Sequence, residues 1–423
     1  MLYGRLLETS GQGLRVRRLG GSRAGEIRLT RFLRNPSVTV AAMVAEAAAR
    51  TAQRCGVAHV LAIQDTTVVK SSGGGGLYLH PTVAVDASDG ALLGLVDAGF
   101  LSRSAGRKGQ RRSLPIQEKE SWRWLKGAEQ AAKVCALAGE VTVIADRESD
   151  IFEAFALKPG GIELVVRAAQ DRCLEDGGRL FAQADALPEA KRARLCLPAK
   201  PGRKAREATL AVRFMAVSLA RPKNGVRGGL PASVSLNLVD VREVDPPAGE
   251  VVHWRLLTTR AVKDAASAQV VVDLYRRRWI IEQLFRSLKT RGFDIEGLRI
   301  EQDAPRCKLV AAALVAAVAI QQLVHARDGA AGAQGALRPA NDAFEPEDIP
   351  LLQAFCTKLE GKTERQKNPH PKGSLAYAAW VCARLGGWTG YYGKPGPIVM
   401  LNGWLDFQAA KRGVAALVAS CDV

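Results

Sequence analysis

Residues 140–155 read EVTVIADRESDIFEAF, an apolar run followed directly by a charged turn and an amphipathic segment. This order predicts a strand, a sharp turn and a helix, with Asp146 at the carboxyl end of the strand. The next segment, GIELVVRA (161–168), predicts another strand. Strands that alternate with helices in this way are typical of α/β proteins.

The segment before this unit predicts an amphipathic helix and three more strands. The helix is expected at about 36–56, and HVLAIQDTTVV (59–69) then has the β-branched composition of a buried strand. LYLHPTVAVD and ALLGLVDAGFL follow as two strands joined by the turn ASDG, so the sheet opens with a strand and an antiparallel meander. Asp65 lies at or near the end of the first strand. SSGGGG (71–76) is not followed by the motif GK[ST], which favours a flexible turn over a phosphate-binding loop.

The second half of the chain begins with a change in composition. A basic linker and two strand-like runs, at 208–219 and 233–244, set residues 169–252 apart as a β-rich insertion. VVHWRLLTTR (251–260) returns to the pattern of a core strand. The remaining segments predict a long helix from near Ala265 to near Gly292, an apolar helix at 307–325, and a mostly helical region at 346–423.

The charge of the chain indicates the class of partner. Its 423 residues include 60 basic and 42 acidic side chains, which give a net charge of +18 and a pI near 9.8. A protein this basic usually binds a polyanion, and nucleic acid is the first candidate. The alternative at this point is a generally basic soluble protein without such a partner.

Cysteine usage and hydropathy indicate the compartment. Eight cysteines are scattered without a CxxC pair or a Cys/His cluster at zinc spacing, which favours reduced core residues of a cytosolic protein. The start of the chain lacks the apolar region of a secretory signal. The longest apolar run, LVAAALVAAVAI (309–320), is too short to cross a bilayer and predicts a buried helix. We therefore expect no association with a membrane.

The segment DLYRRRWIIEQLFRSLKTRGF (273–293) places four polar side chains on one line of a helix. At about 100° per residue they fall within a stripe roughly 60° wide. These residues are Tyr275, Arg278, Glu282 and Lys289. The adjacent apolar stripe, which would pack on the sheet, consists of Leu274, Ile281, Leu284, Phe285 and Leu288. A surface ladder of salt bridges would explain Arg278 and Glu282 at i, i+4, but not the other two polar residues.

Asp65, Asp146 and Glu282 are candidates for one metal-binding group. A carboxylate inside an apolar run costs free energy unless it is paired or binds a cation, and ligand-binding side chains gather at strand ends in α/β sheets. Magnesium prefers carboxylate oxygens. Two such ions can activate an attacking oxygen and stabilise a leaving one in phosphodiester cleavage. Taken singly, each aspartate is equally consistent with a helix cap or a turn residue.

DLYRRRWIIEQLFRSLK (273–289) resembles the Y-x2-R-x3-E-x6-K signature of DDE transposases of the insertion-sequence 4 family, which includes the transposase of the kanamycin-resistance transposon. LAIQDTT and VIADRESDIF resemble the surroundings of that family's two catalytic aspartates. RFLRNPSVT, PIQEKESWRWL (115–125) and ARLGGWTG (383–390) resemble further stretches in the same order. The resemblance covers roughly residues 28–423. The signature together with both aspartate contexts is a specific combination.

The resemblance implies a ribonuclease-H-like catalytic core, interrupted by a β-rich insertion between the second aspartate and the glutamate. The fold class is thus predicted as α/β with an inserted β-rich subdomain and helical regions at both ends. The expected domains are a short N-terminal region (1–57), the core (58–168 and 253–327), the insertion (169–252) and a C-terminal helical dimerisation domain (328–423).

The resemblance also implies an enzymatic reaction. Asp65, Asp146 and Glu282 would bind two Mg²⁺ ions, for which Mn²⁺ can substitute. The implied activity is cut-and-paste transposition. Water cleaves the transposon end, the freed 3′ hydroxyl attacks the opposite strand to form a hairpin, and after the hairpin is opened it attacks target DNA.

Four residues are expected to contact DNA near the cleaved end. Tyr275, Arg278 and Lys289 would hold phosphates, as a hydroxyl donor, a forked guanidinium and a point charge respectively. Trp254 matches the family's tryptophan that stacks on a flipped base during hairpin formation, where an aromatic face offsets the cost of unstacking. A core aromatic residue is the alternative for Trp254.

The basic runs 103–112 and 191–206 would contact phosphates, so DNA binding should weaken steeply with salt. DNA contact and a solvated loop remain open alternatives for Arg203, Lys204 and Arg206, and the basic loop 358–367 is expected to be solvated. The implied partners are double-stranded DNA, as inverted-repeat ends and as target, and a second copy of the chain bound through residues beyond about 345. The protein would be cytoplasmic and associated with the bacterial nucleoid.

The N-terminus departs from the family pattern. In the family, a helical domain that reads the end sequence precedes the RFLRNP stretch by several dozen residues, whereas here about 30 residues precede it and look Gly- and Arg-rich rather than helical. An active transposase is therefore one hypothesis. A shortened, non-transposing inhibitor or remnant that binds DNA or full-length transposase is the other. A tyrosine recombinase using Tyr275 would need an arrangement of Arg and His that the sequence lacks.

Overall fold

The strands of the described residues form one mixed sheet of ten, and helices flank it. The computed structural model describes residues 5–6, 13–72, 75–103, 114–197, 204–223, 229–247, 251–289, 292–329, 337–391 and 393–421. The strands are β1 (His59–Gln64), β2 (Thr67–Ser72), β3 (Gly75–Asp86), β4 (Leu92–Arg103), β5 (Glu140–Ala145), β6 (Glu163–Arg167), β7 (Lys191–Leu197), β8 (Arg206–Ala220), β9 (Ser233–Glu243) and β10 (His253–Thr258). Their order is β2–β3–β1–β5–β6–β10–β9–β8–β7, and β4 pairs with β3.

β1, β5 and β6 form the parallel centre of the sheet. β1 pairs with β5, and β5 pairs with β6, both in parallel register, so the carboxyl ends of these three strands lie together. The neighbours on either side are antiparallel, since β3 pairs with β1 and β10 pairs with β6. The antiparallel β3–β4 pair confirms the predicted meander.

Helices cover both faces of this sheet. They are α1 (Val16–Gly20), α2 (Arg23–Arg34), α3 (Val40–Cys55), α4 (Trp122–Val134), α5 (Phe152–Ala156), α6 (Leu180–Ala186), α7 (Ala265–Arg276), α8 (Trp279–Leu288), α9 (Asp303–Ala326), α10 (Ile349–Leu359), α11 (Leu375–Leu385) and α12 (Pro397–Cys421). Side chains alternate along β1, so that Val60 and Ala62 enter a core with α4 and α5, while Leu61 and Ile63 enter a core with α7, α8 and α9. The prediction of an α/β fold is confirmed.

α9 is the central helix of the second core. It is long and apolar enough to cross a membrane by length and composition, but 94% of its most apolar window is buried inside the protein. Helices that are apolar on all sides are typical of protein interiors, and the predicted buried helix is confirmed. Its buried Lys308 donates from Nζ to the carbonyl oxygens of Leu33 (2.9 Å) and Asn35 (2.7 Å), which satisfies the C-terminal end of α2.

Within the described residues of the N-terminal stretch, Val16–Gly20 and Arg23–Arg34 are helical, contrary to the expectation from its glycine and arginine content. Ser22 caps α2 by accepting a hydrogen bond from the Gly25 amide at 3.1 Å. Leu29 and Leu33 are buried one turn apart, where α2 packs on α9. Arginine is a good helix former, so two buried leucines and a cap are sufficient to establish the helix.

The strands within residues 169–252 extend the central sheet. β8 and β9 match the predicted runs at 208–219 and 233–244. They join the parallel centre because β9 pairs with β10, and β7 pairs with β8 on the outside. The predicted β-rich content is confirmed, while a separate inserted subdomain stays a prediction.

The predicted long helix at 265–292 is two helices, α7 and α8. Arg277 and Arg278 join them with helical torsion angles, but the Arg278 amide donates to the Tyr275 carbonyl at 3.0 Å, three residues back. Such 3₁₀ bonding tightens the turn. The predicted apolar stripe is confirmed, since all five of its members are buried: Leu274, Ile281, Leu284, Phe285 and Leu288.

Candidate active site

Asp65 and Asp146 lie side by side at the carboxyl end of the parallel strands. β1 and β5 are neighbours, with Ile63 opposite Ile144, and each aspartate follows its isoleucine by two residues. Adjacent strands are about 4.8 Å apart. Both carboxylates therefore emerge at the same end of the sheet.

Asp146 is not held as a helix cap. It precedes the 3₁₀ turn Arg147–Ser149 without a capping hydrogen bond from its side chain. Its Oδ1 instead accepts a hydrogen bond from the Tyr275 hydroxyl at 3.4 Å. The loop is anchored a few residues later by the buried Asp150, whose Oδ1 accepts from Arg172 Nε at 2.8 Å. The Asp146 carboxylate thus faces Tyr275 and does not cap the turn.

Arg278 connects the strand-end aspartate to the helix. Its Nη1 donates to Asp65 Oδ2 at 2.8 Å, and its Nη2 donates to Glu282 Oε1. The Arg278 side chain is 11% exposed, so the guanidinium is largely withdrawn from water. The i, i+4 salt bridge expected from the sequence is confirmed, but the same arginine also binds Asp65 from another element. The structure thus brings together five of the predicted residues: Asp65, Asp146, Tyr275, Arg278 and Glu282.

An aromatic pair closes one side of this cluster. The Trp254 ring on β10 meets the Tyr275 ring edge-on, with centroids 5.6 Å apart. Arg167, at the end of β6, donates from Nη2 to the His253 carbonyl at 2.8 Å, and its charge acts on the pKa of Tyr275. Sequence reasoning missed Arg167, although its position at the end of the strand that follows Asp146 is a signal for it.

The environment of Tyr275 makes it a poor nucleophile. Its side chain is 2% exposed. Burial, and after it the Asp146 carboxylate, raises the pKa of Tyr275 to about 12. A tyrosine that attacks phosphorus must be accessible and activated. The structure therefore offers no support for a recombinase reaction through Tyr275.

Asp65, Asp146 and Glu282 are close enough for their charges to act on one another. Burial raises the pKa of Asp65 from 3.8 to about 6; Asp146 and Glu282 act in the same direction, against Arg278. Burial acts to lower the pKa of Arg278, but Tyr275 and the three carboxylates raise it above its ordinary value. The cluster therefore favours a bound positive charge.

The donor set suits a divalent cation, because carboxylate oxygens are what Mg²⁺ prefers. Across the described part of the chain, no three His, Cys, Asp or Glu side chains converge closely enough to hold a metal ion. In this arrangement the Arg278 guanidinium is the cation that bridges Asp65 and Glu282.

Lys289 does not share the line predicted for it. α8 ends at Leu288, and Lys289 has φ −93° and ψ −141°, which is not helical. Its Nζ pairs with Glu296 Oε1 at 2.8 Å. The helical-line prediction is wrong for this residue because the helical angle does not apply beyond the end of the helix. Its contact with DNA stays a prediction.

The other predicted DNA contacts are only partly described. Lys204 is exposed just before β8, and Arg206 at the start of β8 forms a salt bridge with Glu243. Arg203 lies outside the described residues, as do residues 104–112 of the basic run 103–112. In the loop 358–367, Lys367 Nζ pairs with Glu364 at 2.6 Å on the surface.

α2 presents a basic face that sequence reasoning did not assign. Arg28, Arg31 and Arg34 are exposed on the side opposite the buried Leu29 and Leu33. Guanidinium groups bind phosphate oxygens in a forked geometry. The density of arginine between residues 15 and 34 is the signal that could have identified this face.

Asp65→Asn is expected to gain up to about 3 kcal/mol of stability relative to wild type as the pH rises from 4 to 8 in EDTA. The folded state raises the pKa of Asp65 to about 6, so it favours the protonated form that asparagine imitates. The contribution of Asp65 to stability is thus fully present below about pH 4 and is lost as the pH rises through 6. Urea unfolding of both proteins from pH 4 to pH 8 measures this, with the surface variant Asp273→Asn as control. A stability difference between the two proteins that stays the same from pH 4 to pH 8 would contradict the prediction.

A mixed α/β sheet whose parallel strands end in clustered carboxylates defines a protein with an acidic site of the kind that binds cations and phosphoryl groups. A family model described as the transposase DDE domain matches residues 45–317, more than half of the chain. The chain belongs to this family of DDE transposases. Its members act on DNA, which agrees with the net charge of +18. They generally use divalent metal ions. Asp65, Asp146 and Glu282 all lie within the matched residues.

Proposed function

We propose that this DDE transposase carries out cut-and-paste transposition as a member of the insertion-sequence 4 family. The main support is the arrangement of Asp65, Asp146 and Glu282 around Arg278 at one end of the sheet. In the proposed reaction, water cleaves the transposon end and frees a 3′ hydroxyl. This hydroxyl attacks the opposite strand to form a hairpin and, once the hairpin is opened, attacks target DNA.

Asp65, Asp146 and Glu282 would hold two Mg²⁺ ions, with Mn²⁺ as a substitute. Such ions supply activation of the attacking oxygen and stabilisation of the leaving oxygen of a phosphodiester. The protein's own contacts set the positions of the three carboxylates. Arg278 donates both to Asp65, directly after β1, and to Glu282 on α8, and the Tyr275 hydroxyl donates to Asp146.

Arg278, Tyr275 and Lys289 are the proposed phosphate contacts near the cleaved end. Arg278 lies closest to the carboxylates and has the forked donors that match a phosphate. Lys289 is partly exposed beyond the end of α8, where its ammonium can reach the phosphate oxygens of a bound DNA.

Trp254 is the proposed stacking residue for hairpin formation. It lies on β10 at the edge of the cluster, against the Tyr275 ring. A base taken out of the duplex loses a few kcal/mol of stacking, and an aromatic face can replace part of it. The Trp254 ring is only partly buried where it packs against the core, which is compatible with this role.

The remaining DNA would lie on basic surfaces outside the cluster. The exposed arginines of α2 are suited to phosphate contact, and Arg203, Lys204 and Arg206 stay proposed contacts. Two transposon ends need two copies of the protein. α12 exposes the apolar side chains Ile398 and Val414, which supports dimerisation through the C-terminal helices. We place the protein on the nucleoid of a bacterial cytoplasm.

Cleavage of the element's own inverted-repeat ends by the purified protein tests the proposal. With Mg²⁺ we expect a nick that leaves a 3′ hydroxyl, followed by a hairpin, and with EDTA or a scrambled end we expect neither. Wild-type protein that does not nick authentic ends would overturn the proposed activity. Suppression of a full-length relative's transposition by such an inactive protein would instead favour the inhibitor hypothesis.

A further inference from the structure

The backbone pairing between β3 and its neighbours is interrupted at Asp65. The run predicted as one strand at 59–69 is interrupted, because the β1–β3 ladder ends at Gln64 and the β2–β3 ladder begins at Thr67. In this described part of the sheet, Asp65 and Thr66 between them have no ladder partner. Backbone pairing therefore does not set the direction of the Asp65 side chain.

A side chain of β3 bridges this gap. His80 Nδ1 lies 2.9 Å from Thr66 Oγ1, and the next residue, Pro81, has no N–H with which to extend a ladder. The Thr66 amide in turn donates to Asp65 Oδ1 at 2.7 Å. A chain of hydrogen bonds thus runs from His80 through Thr66 to Asp65.

Gln64 determines which His80 nitrogen donates in this series of hydrogen bonds. Its amide group lies between the Trp124 carbonyl, which only accepts, and the Ala128 amide, which only donates, at 3.3 Å each. In the orientation that satisfies both, the Gln64 nitrogen also donates to His80 Nε2 at 3.2 Å. Because Nε2 then accepts, His80 carries its proton on Nδ1 and donates to the Thr66 hydroxyl. Burial lowers the pKa of His80 to about 3, so the ring stays neutral.

Close packing holds the imidazole in place. The buried His80 ring meets Trp124 edge-on, with centroids 4.5 Å apart. α4 approaches so closely at Gly127 that a Cβ there would lie 2.4 Å from a terminal atom of the Gln64 amide. Buried polar groups carry a free-energy cost that apolar side chains avoid. Their presence directly behind Asp65 indicates a task other than stability.

We infer that His80 and Thr66 are positioning residues for Asp65. They hold the turn between β1 and β2 so that Asp65 Oδ1 stays on the Thr66 amide while Oδ2 faces Arg278. Groups that orient a metal-binding side chain typically change metal affinity by about 10–100-fold. This inference rests on the proposed metal-binding role of Asp65.

Calorimetric titration of the full chain with Mn²⁺, without DNA, tests the inference. Thr66→Val and His80→Leu should weaken Mn²⁺ binding by about 10–100-fold. Thr66→Ser and His80→Asn should bind nearly as wild type, because serine keeps the hydroxyl and asparagine keeps a donor near the position of Nδ1. His59→Leu is the matched control: it removes a histidine from the other end of β1, where the ring bonds the Thr142 hydroxyl at 2.9 Å.

The outcomes separate this inference from the proposed function. If Asp65→Asn binds Mn²⁺ as tightly as wild type, the metal role of Asp65 is wrong and the inference is overturned with it. If Asp65→Asn loses binding while a folded Thr66→Val binds like wild type, the inference alone is overturned. Should His80→Leu fail to fold, the partly exposed Thr66 supplies the deciding variant.

Discussion

Glu282→Gln is expected to abolish cleavage of transposon-end DNA, with a loss of about 10³-fold or more. The substitution preserves the shape of the side chain and an oxygen that can accept from Arg278, but it removes the negative charge. Glu282 is the acidic residue that α8 brings to Asp65 and Asp146. The proposed site therefore loses one of three charges while the fold keeps its contacts. Asp146→Asn should have an effect of similar size.

Nicking at several Mg²⁺ concentrations, with a urea unfolding curve for each variant, measures this loss. Asp273→Asn is the matched control, since Asp273 lies on α7 at the surface and pairs with Arg276 at 3.2 Å. The control should cleave like wild type. Wild-type cleavage by Glu282→Gln would remove Glu282 from the active site.

Arg278→Ala is expected to destabilise the protein in EDTA at pH 8 by about 3 kcal/mol, the low end for removing one partner of a buried ion pair. The low end applies because Glu282 is 35% exposed and is partly screened by water. Without the guanidinium, Asp65 and Glu282 keep their charges with no cation between them. Because the raised pKa of Asp65 rises further when Arg278 is absent, the deficit should be largest at pH 8. It should shrink as Asp65 is protonated toward pH 4.

Urea unfolding at both pH values checks this prediction, together with DNA cleavage by the same proteins. Arg278→Lys should recover part of the stability, because it keeps a charge, but its compact ammonium lacks the planar fork with which Arg278 donates to both carboxylates. Arg276→Ala removes a surface arginine two residues away and should cost less than about 1 kcal/mol. An Arg278→Ala protein as stable as wild type at pH 8 would show that the bridge does not stabilise the fold.

The local elements of the site were predictable because their signals are local. The strand–turn–helix pattern at 140–155 predicts Asp146 at a strand end, and the apolar stripe of α8 predicts which side of that helix is buried. Both follow from side-chain periodicity over a few residues. The same reasoning failed for Lys289, because periodicity does not show where a helix ends. It also failed for α2, where arginine density obscured a two-leucine stripe.

By itself, the sequence determined the kind of protein: a basic α/β chain with acidic residues at strand ends and a signature helix that carries Glu282. Only the tertiary structure decided which atoms meet. Arg278 binds Asp65, which is 213 residues away along the chain, and His80 supports Thr66 from a neighbouring strand. The physical reason is that hydrogen-bond partners and buried charges depend on which strands are adjacent and on how far water is excluded. Neither property is encoded in the periodicity of a single segment.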